Sequence, residues 1–166
     1  MRDRLHTVGM GRATGAVLAF LVAGAILPQL AAAGPFDGIT GRWMGSGSLL
    51  LKSGTKEPLR CRAQNFLASE NNLQQALRCA SDSYKFEVNA YIVHNAGAIS
   101  GRWDELTQSI EGNLEGKISN GRIDAQLKGP GFAAKFVMQI SATRQSVTIT
   151  PVGDFDIKQV QIDLKK

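Results

Sequence analysis

The sequence predicts an all-β fold: an antiparallel up-and-down barrel of about ten strands, placed after a cleaved signal peptide. Three observations carry this. The stretch Gly38 to Lys52 alternates like a strand and carries three glycines on the same face as one tryptophan. Turn-forming residues then recur at intervals of roughly eight to twelve residues, with no helical periodicity after the leader. The chain opens with the layout of a secretory leader.

The leader is residues 1–33. Arg2, Arg4 and Arg12 make a basic start, Ala13 to Leu27 is an uncharged apolar run, and Pro28 ends it. Ala31-Ala32-Ala33 supplies the small residues of a cleavage site. The apolar run is shorter than the roughly 20 residues of a membrane-spanning helix. The mature chain is therefore expected to be residues 34–166, one β-barrel domain without a membrane span, periplasmic or secreted. No cysteine stands at the cleavage site for a lipid anchor, and no Arg-Arg pair marks twin-arginine export.

Gly38 to Lys52 comes first in that domain. Ile39, Gly41, Trp43, Gly45, Gly47, Leu49 and Leu51 share one face; Thr40, Arg42, Met44, Ser46, Ser48, Leu50 and Lys52 share the other. Glycines inside a strand mark bends and close backbone approach, which a strand curling round a small barrel needs. The expectation is that Trp43 lies over this bare backbone and plugs one end.

The remaining strands follow in order. The second spans about Pro58 to Leu67 and the third about Leu73 to Ala80. Tyr84 to Val93 alternates Tyr84, Phe86, Val88, Ala90 and Ile92 against Lys85, Glu87 and Asn89. Ala98 to Thr107 puts Ile99, Gly101 and Trp103 on one face. Ile110 to Ile118 and Ile123 to Leu127 flank Asn120-Gly121, a strong hairpin turn. Phe132, Ala134, Phe136, Met138 and Ile140 mark the eighth strand, Val147 and Ile149 the ninth, and Ile157 to Leu164 the tenth. Sequential hairpins make a meander, and closing it removes the exposed edges that a sandwich would keep. An outer-membrane barrel is excluded because the outward faces carry charges where lipid demands an apolar band. Ile39-Thr40-Gly41-Arg42-Trp43 and Ile99-Ser100-Gly101-Arg102-Trp103 nearly repeat, which fits either two similar halves or one barrel-corner solution used twice.

Cys61 and Cys79 are the two cysteines, and in an exported chain they read as a disulfide. If they sit opposite each other on adjacent strands, Arg62 faces Arg78 on the other side of the sheet, with Arg60 beside them. That cluster is a candidate anion or partner contact, unless Glu57 or Glu87 neutralises it.

Composition excludes more than it assigns. The chain has 19 basic and 14 acidic residues, and removing the leader leaves a mild positive balance. No basic run or aromatic-basic motif accompanies it, so nucleic acid is not the expected partner. His94 is the one histidine after the leader, too few for an ordinary metal site or an evident catalytic triad. Ser53-Gly54-Thr55-Lys56 matches the S-x-x-K string of penicillin-binding enzymes, but it lies in a turn and has no K-T-G partner. Asp104, Glu105, Glu111 and Glu115 fall mostly on outward faces. The chain is expected to be a binding module without cofactor or metal, not an enzyme. Its candidate lining is Trp43, Leu49, Phe86, Val88, Trp103, Phe132, Phe136 and Met138, and its candidate partner is a small apolar or amphipathic molecule or an envelope component.

Gly41-x-Trp43 opening an all-β chain resembles the calycin group of lipocalin-like barrels, and Gly41-x-Trp43-x-Gly45-x-Gly47 resembles the opening of nitrobindin-type ten-stranded barrels. The calycin resemblance implies a late-strand arginine over the tryptophan; here the last strand has Lys158 and no arginine. The nitrobindin resemblance implies a late haem-binding histidine, which is missing after His94. Arg60-Cys61-Arg62-Ala63 together with Leu77 to Phe86 is similar to a group of uncharacterised exported alpha-proteobacterial proteins. The exported barrel with one disulfide is also similar to periplasmic inhibitors of secreted metalloproteases, which act through an extended N-terminal trunk. Gly34-Pro35-Phe36-Asp37 is short for that role.

Overall fold

The computed structural model describes residues 34–166. The leader and its cleavage site lie outside the described residues. From Gly41 to Lys165 the chain makes ten antiparallel strands, each hydrogen-bonded to the next: β1 (Gly41–Leu51), β2 (Lys56–Ser69), β3 (Asn72–Ala80), β4 (Lys85–Asn95), β5 (Ala98–Glu105), β6 (Ile110–Ser119), β7 (Arg122–Gly129), β8 (Phe132–Ile140), β9 (Arg144–Pro151) and β10 (Ile157–Lys165). Strand β10 pairs with β1 and closes the barrel.

Alternation decides which side chains go in. Apolar residues every second position need one face out of water, and a closed meander offers a single interior to all ten strands. Register follows from the turns. Asn120-Gly121 takes positive φ at both positions (49° and 69°), the geometry of the tight hairpin between β6 and β7. Cys61 stands opposite Cys79 in the β2–β3 ladder and the two form a disulfide. Arg62 consequently faces Arg78, as the cysteine pairing implies.

The first strand corrects one expectation. A Cβ at Gly45 or Gly47 would collide with the backbone of Asp163 or Gln161 on β10. These glycines make room for the closing strand rather than for an indole. Trp43 does plug one end: it is fully buried, and its Nε1 donates to the Ile39 carbonyl at 2.8 Å.

The two ends differ. Hairpins β2–β3, β4–β5, β6–β7 and β8–β9 lie at the end where β1 begins. Residues 34–40 lie there too, with Phe36 and Ile39 each only 1% exposed. Asn65 and Gln145, both buried, donate to the same Ile39 carbonyl at 3.0 and 3.4 Å. Phe36 meets His94 edge-on at 6.2 Å. His94 is held by the Gly97 amide on Nε2 and by Asn71 Oδ1 on Nδ1. This end is shut by packed side chains and a polar knot around one backbone oxygen.

Candidate functional site

The opposite end carries the loops 52–55, 81–84, 106–109, 130–131 and 152–156. Some inward-facing apolar side chains here are only partly buried. Leu51, Ile157 and Val160 stand on the β1–β10 side; Leu77, Tyr84, Phe86 and Val88 stand on the β3–β4 side. Ile110, Leu127, Phe132, Phe136 and Ile149 complete the ring. Leu49, Leu59, Cys79, Trp103 and Ala134, at the same end, are buried among them. The interior is therefore asymmetric: packed dry at one end, and at the other, called the cup below, mixing buried with partly exposed apolar side chains.

The cup wall has an aromatic ladder. Trp103 meets Phe132 edge-to-face at 5.6 Å, and Phe132 meets Phe155 the same way at 5.7 Å. Trp103 can lie flat along the wall because Gly112 and Gly129, on the next two strands, leave space that a Cβ would fill. Its Nε1 donates to the Asn113 carbonyl at 3.1 Å, so the indole is anchored. On β4 and the loop before it, Tyr84 and Phe86 stack nearly parallel at 6.2 Å. These contacts hold rings in fixed orientations, the geometry aromatic pairs prefer.

Two inward carboxylates stand at the rim. Glu105, placed outward by the sequence reading as one of its surface acids, pairs with Val88 and Ile110 on the inward face. Partial burial pushes its carboxyl up. Bonds from the Thr107 hydroxyl and from the amides of Glu87, Gln108 and Thr107 outweigh this and hold it below the ordinary range. Glu57 is held low by the Ser81 hydroxyl and the Ser83 amide, the latter at 2.7 Å. Both carboxylates are thus already engaged by the chain. Asp154, in the β9–β10 loop, is held low by its bond from Lys52 and by nearby Lys158. Leu106 and Val152, 52% and 55% exposed, stand in two of the rim loops.

The eight lining candidates divide between the halves. Phe86, Val88, Phe132 and Phe136 are partly exposed at the open end; Leu49 and Trp103 are buried at the same end. Trp43 and Met138 belong to the shut end, where nothing from solvent reaches them. Sequence reading missed Tyr84's pairing with Phe86, and it missed Phe155. Phe155 sits in a loop outside any alternating run, so periodicity gives no signal for it.

Arg60, Arg62 and Arg78 come together on the outer face of β2 and β3. Glu87 on β4 is their counter-charge: it lies 3.5 Å from Arg78 and 2.8 Å from Lys85. Its carboxyl is held low by the bond from Lys85 first, and by Arg78 and Arg62 through space. Glu57 instead turns to Ser83. The cation over Trp43 is a lysine, where the resemblance implies an arginine. Lys158 pairs with Asp154 at the open end, while Lys166 sits 5.1 Å above the Trp43 ring. Among the described residues no group of three or more His, Cys, Asp or Glu side chains is placed to hold a metal ion.

No family model and no curated protein matches this sequence. Solved structures do match in shape. Rv2717c from M. tuberculosis superposes with a TM-score of 0.64 at 12% identity, over 79% of this chain and 94% of that one. The S-type phycobiliprotein lyase CPES from Guillardia theta gives 0.56 at 9% identity, over 78% and 88%. EF1p2_mFAP2b, solved bound to DFHBI, gives 0.50 at 9% identity, over 82% and 99%. At these identities the likeness is one of fold: this chain is a calycin-like ten-stranded barrel.

Proposed function

We propose that this chain is an exported, non-enzymatic binding module that takes a small apolar molecule into the open end of its barrel. The observation that carries the reading is the asymmetry of the interior: inward apolar side chains are sealed at one end, while at the other a set of them is partly exposed. An apolar concavity with a few polar groups at its edge is the usual form of a small-molecule site. A phycobiliprotein lyase and a barrel bound to DFHBI share the fold, which is compatible with this use. Export is supported by the leader pattern and by the Cys61–Cys79 bridge, a bond that persists in oxidising compartments.

The protease-inhibitor reading is disfavoured by one feature. Residues 34–40 are folded against the shut end, with Phe36 and Ile39 buried, so they do not form a projecting trunk.

The test is native mass spectrometry of the full-length gene product, expressed with its own leader and recovered without detergent from the periplasmic fraction. A chain starting at Gly34, with a reproducible small-molecule adduct lost on denaturation, is expected. An unprocessed cytoplasmic chain would overturn export. A bare mass that no apolar probe shifts would overturn ligand binding.

A further inference from the structure

The outer wall of the barrel sorts its charges by region. On β1, β2 and β3 the outward side chains include Arg42, Lys56, Arg60, Arg62 and Arg78 and no carboxylate. On β5, β6 and β7 the acids Asp104, Glu111, Glu115 and Asp124 are matched by the bases Arg102, Lys117, Arg122 and Lys128. Both arginines of that mixed region are engaged: Arg102 lies over the Tyr91 ring, and Arg122 bonds Asp124 at 2.7 Å. The basic region is left open. Among the described residues Arg42, Lys56, Arg60 and Arg62 form no ion pair, while Arg78 shares Glu87 with Lys85 at the β4 edge. Glu87 also feels Arg62 through space, but one carboxylate already bonded to Lys85 leaves the region strongly positive.

Register draws these cations into one stripe. Lys56, Arg60, Arg62 and then Phe66 follow one another along the outer side of β2, over about 30 Å. Arg62 stands between Met44 and Arg78, Arg60 between Ser46 and Ala80, and Gln64 between Arg42 and Ala76. The flanking side chains are mostly small, so little screens the guanidiniums. Beyond β1, Lys165 faces Met44 and Asp163 faces Ser46, and their charges offset each other. Met44 and Phe66 stand among the cations 71% and 51% exposed. Exposed apolar side chains rimmed by polar ones mark an interaction surface. The wall of a closed barrel is convex, so it meets a flat surface along such a stripe. Guanidiniums grip phosphate oxygens two at a time, and apolar side chains beside them can enter the acyl boundary beneath the phosphates. An acidic polymer would use the arginines and leave Met44 and Phe66 in water. We infer that the outer face of β1–β3 docks on a phosphate-bearing lipid surface, with Arg42, Arg60 and Arg62 on headgroups and Met44 and Phe66 dipping between them. This surface is separate from the open end, so its failure leaves the binding reading above untouched.

The test is co-sedimentation of the processed full chain with vesicles of phosphatidylcholine, alone or with about one third phosphatidylglycerol. At low salt the anionic vesicles should bind at least about tenfold tighter, and about 1 M salt should remove the preference. Arg60→Gln combined with Arg62→Gln should weaken that binding about twentyfold, roughly fivefold per charge. Lys117→Gln combined with Lys128→Gln removes the same net charge from the mixed wall and should change it less than about twofold. Met44→Ser combined with Phe66→Ser should weaken it about tenfold. No preference for anionic vesicles, or equal losses from the two charge variants, would overturn the stripe as a docking surface. Unchanged binding in the Met44→Ser and Phe66→Ser variant, or polyglutamate binding as tightly as the vesicles, would overturn a lipid partner in favour of an acidic polymer.

Discussion

The shut and open halves of this barrel are made from the same strands with the same alternation, yet they behave as two materials. In the shut half Trp43 is fully buried, bonded to the Ile39 carbonyl and covered by Lys166. In the open half Phe132 and Phe86 face inward too, but water reaches them. The two tryptophans show the difference within one motif. Trp43 and Trp103 each end an Ile-x-Gly-Arg-Trp pattern; one seals an end, while the other lies along the wall at the open end. Inward orientation sets what a side chain can touch, and height along the barrel sets what it does touch. A side chain with neighbours all round contributes to stability; one with neighbours on one side is free to bind.

The sharpest way to break the comparison is to truncate one aromatic in each half. Trp43→Ala should cost about 4 kcal/mol in urea unfolding, since it removes a buried indole and leaves a cavity. Phe132→Ala should cost about 1–2 kcal/mol, since part of its area is already in water. Equal costs would mean that the halves are packed alike. Between these stands the bridge. Replacing Cys61 and Cys79 together by serine should lower stability by about 3 kcal/mol, the effect of releasing an 18-residue loop in the unfolded chain. An unchanged urea midpoint would show that the bridge adds nothing to the packed wall.

Smaller effects test the edges of each half. Lys166→Ala should cost about 0.5–1 kcal/mol by uncovering the Trp43 ring, with altered tryptophan fluorescence; Lys158→Ala should leave that fluorescence unchanged. Acid should act on the carboxylates the chain engages, on the outer face at Glu87 and Asp124 as well as at the open end. Glu57, Glu105 and Asp154 all have carboxyls held below their ordinary values. Their stabilisation is therefore present above the unfolded-state values and is lost as pH falls through the lower folded-state ones. Stability should fall on acidification below the ordinary carboxylate range, and Glu105→Gln should flatten that dependence. A pH profile identical in the variant would remove Glu105 from the account.

Much of the fold was legible because the relevant physics is local. Alternation in Tyr84 to Val93, the Asn120-Gly121 turn and the cysteine spacing each act over a few residues and together fix strand, face and register. The candidate site was legible only in part. Phe86, Val88, Phe132 and Phe136 were found because they alternate; Phe155 was not, because a loop residue has no period. Trp43 and Met138 were placed with them because alternation reports in or out and says nothing of depth.

The sequence by itself determined the strands, their order, the inward face and the partner of each cysteine, since hydrophobic period and turn chemistry are properties of neighbouring residues. Tertiary structure alone decided which end is plugged by residues 34–40, which lysine covers Trp43, which strands' glycines admit Trp103, and where two rim carboxylates find their donors. Those are contacts between residues far apart in the chain. They exist only once β10 has closed on β1 and given the barrel two distinct ends.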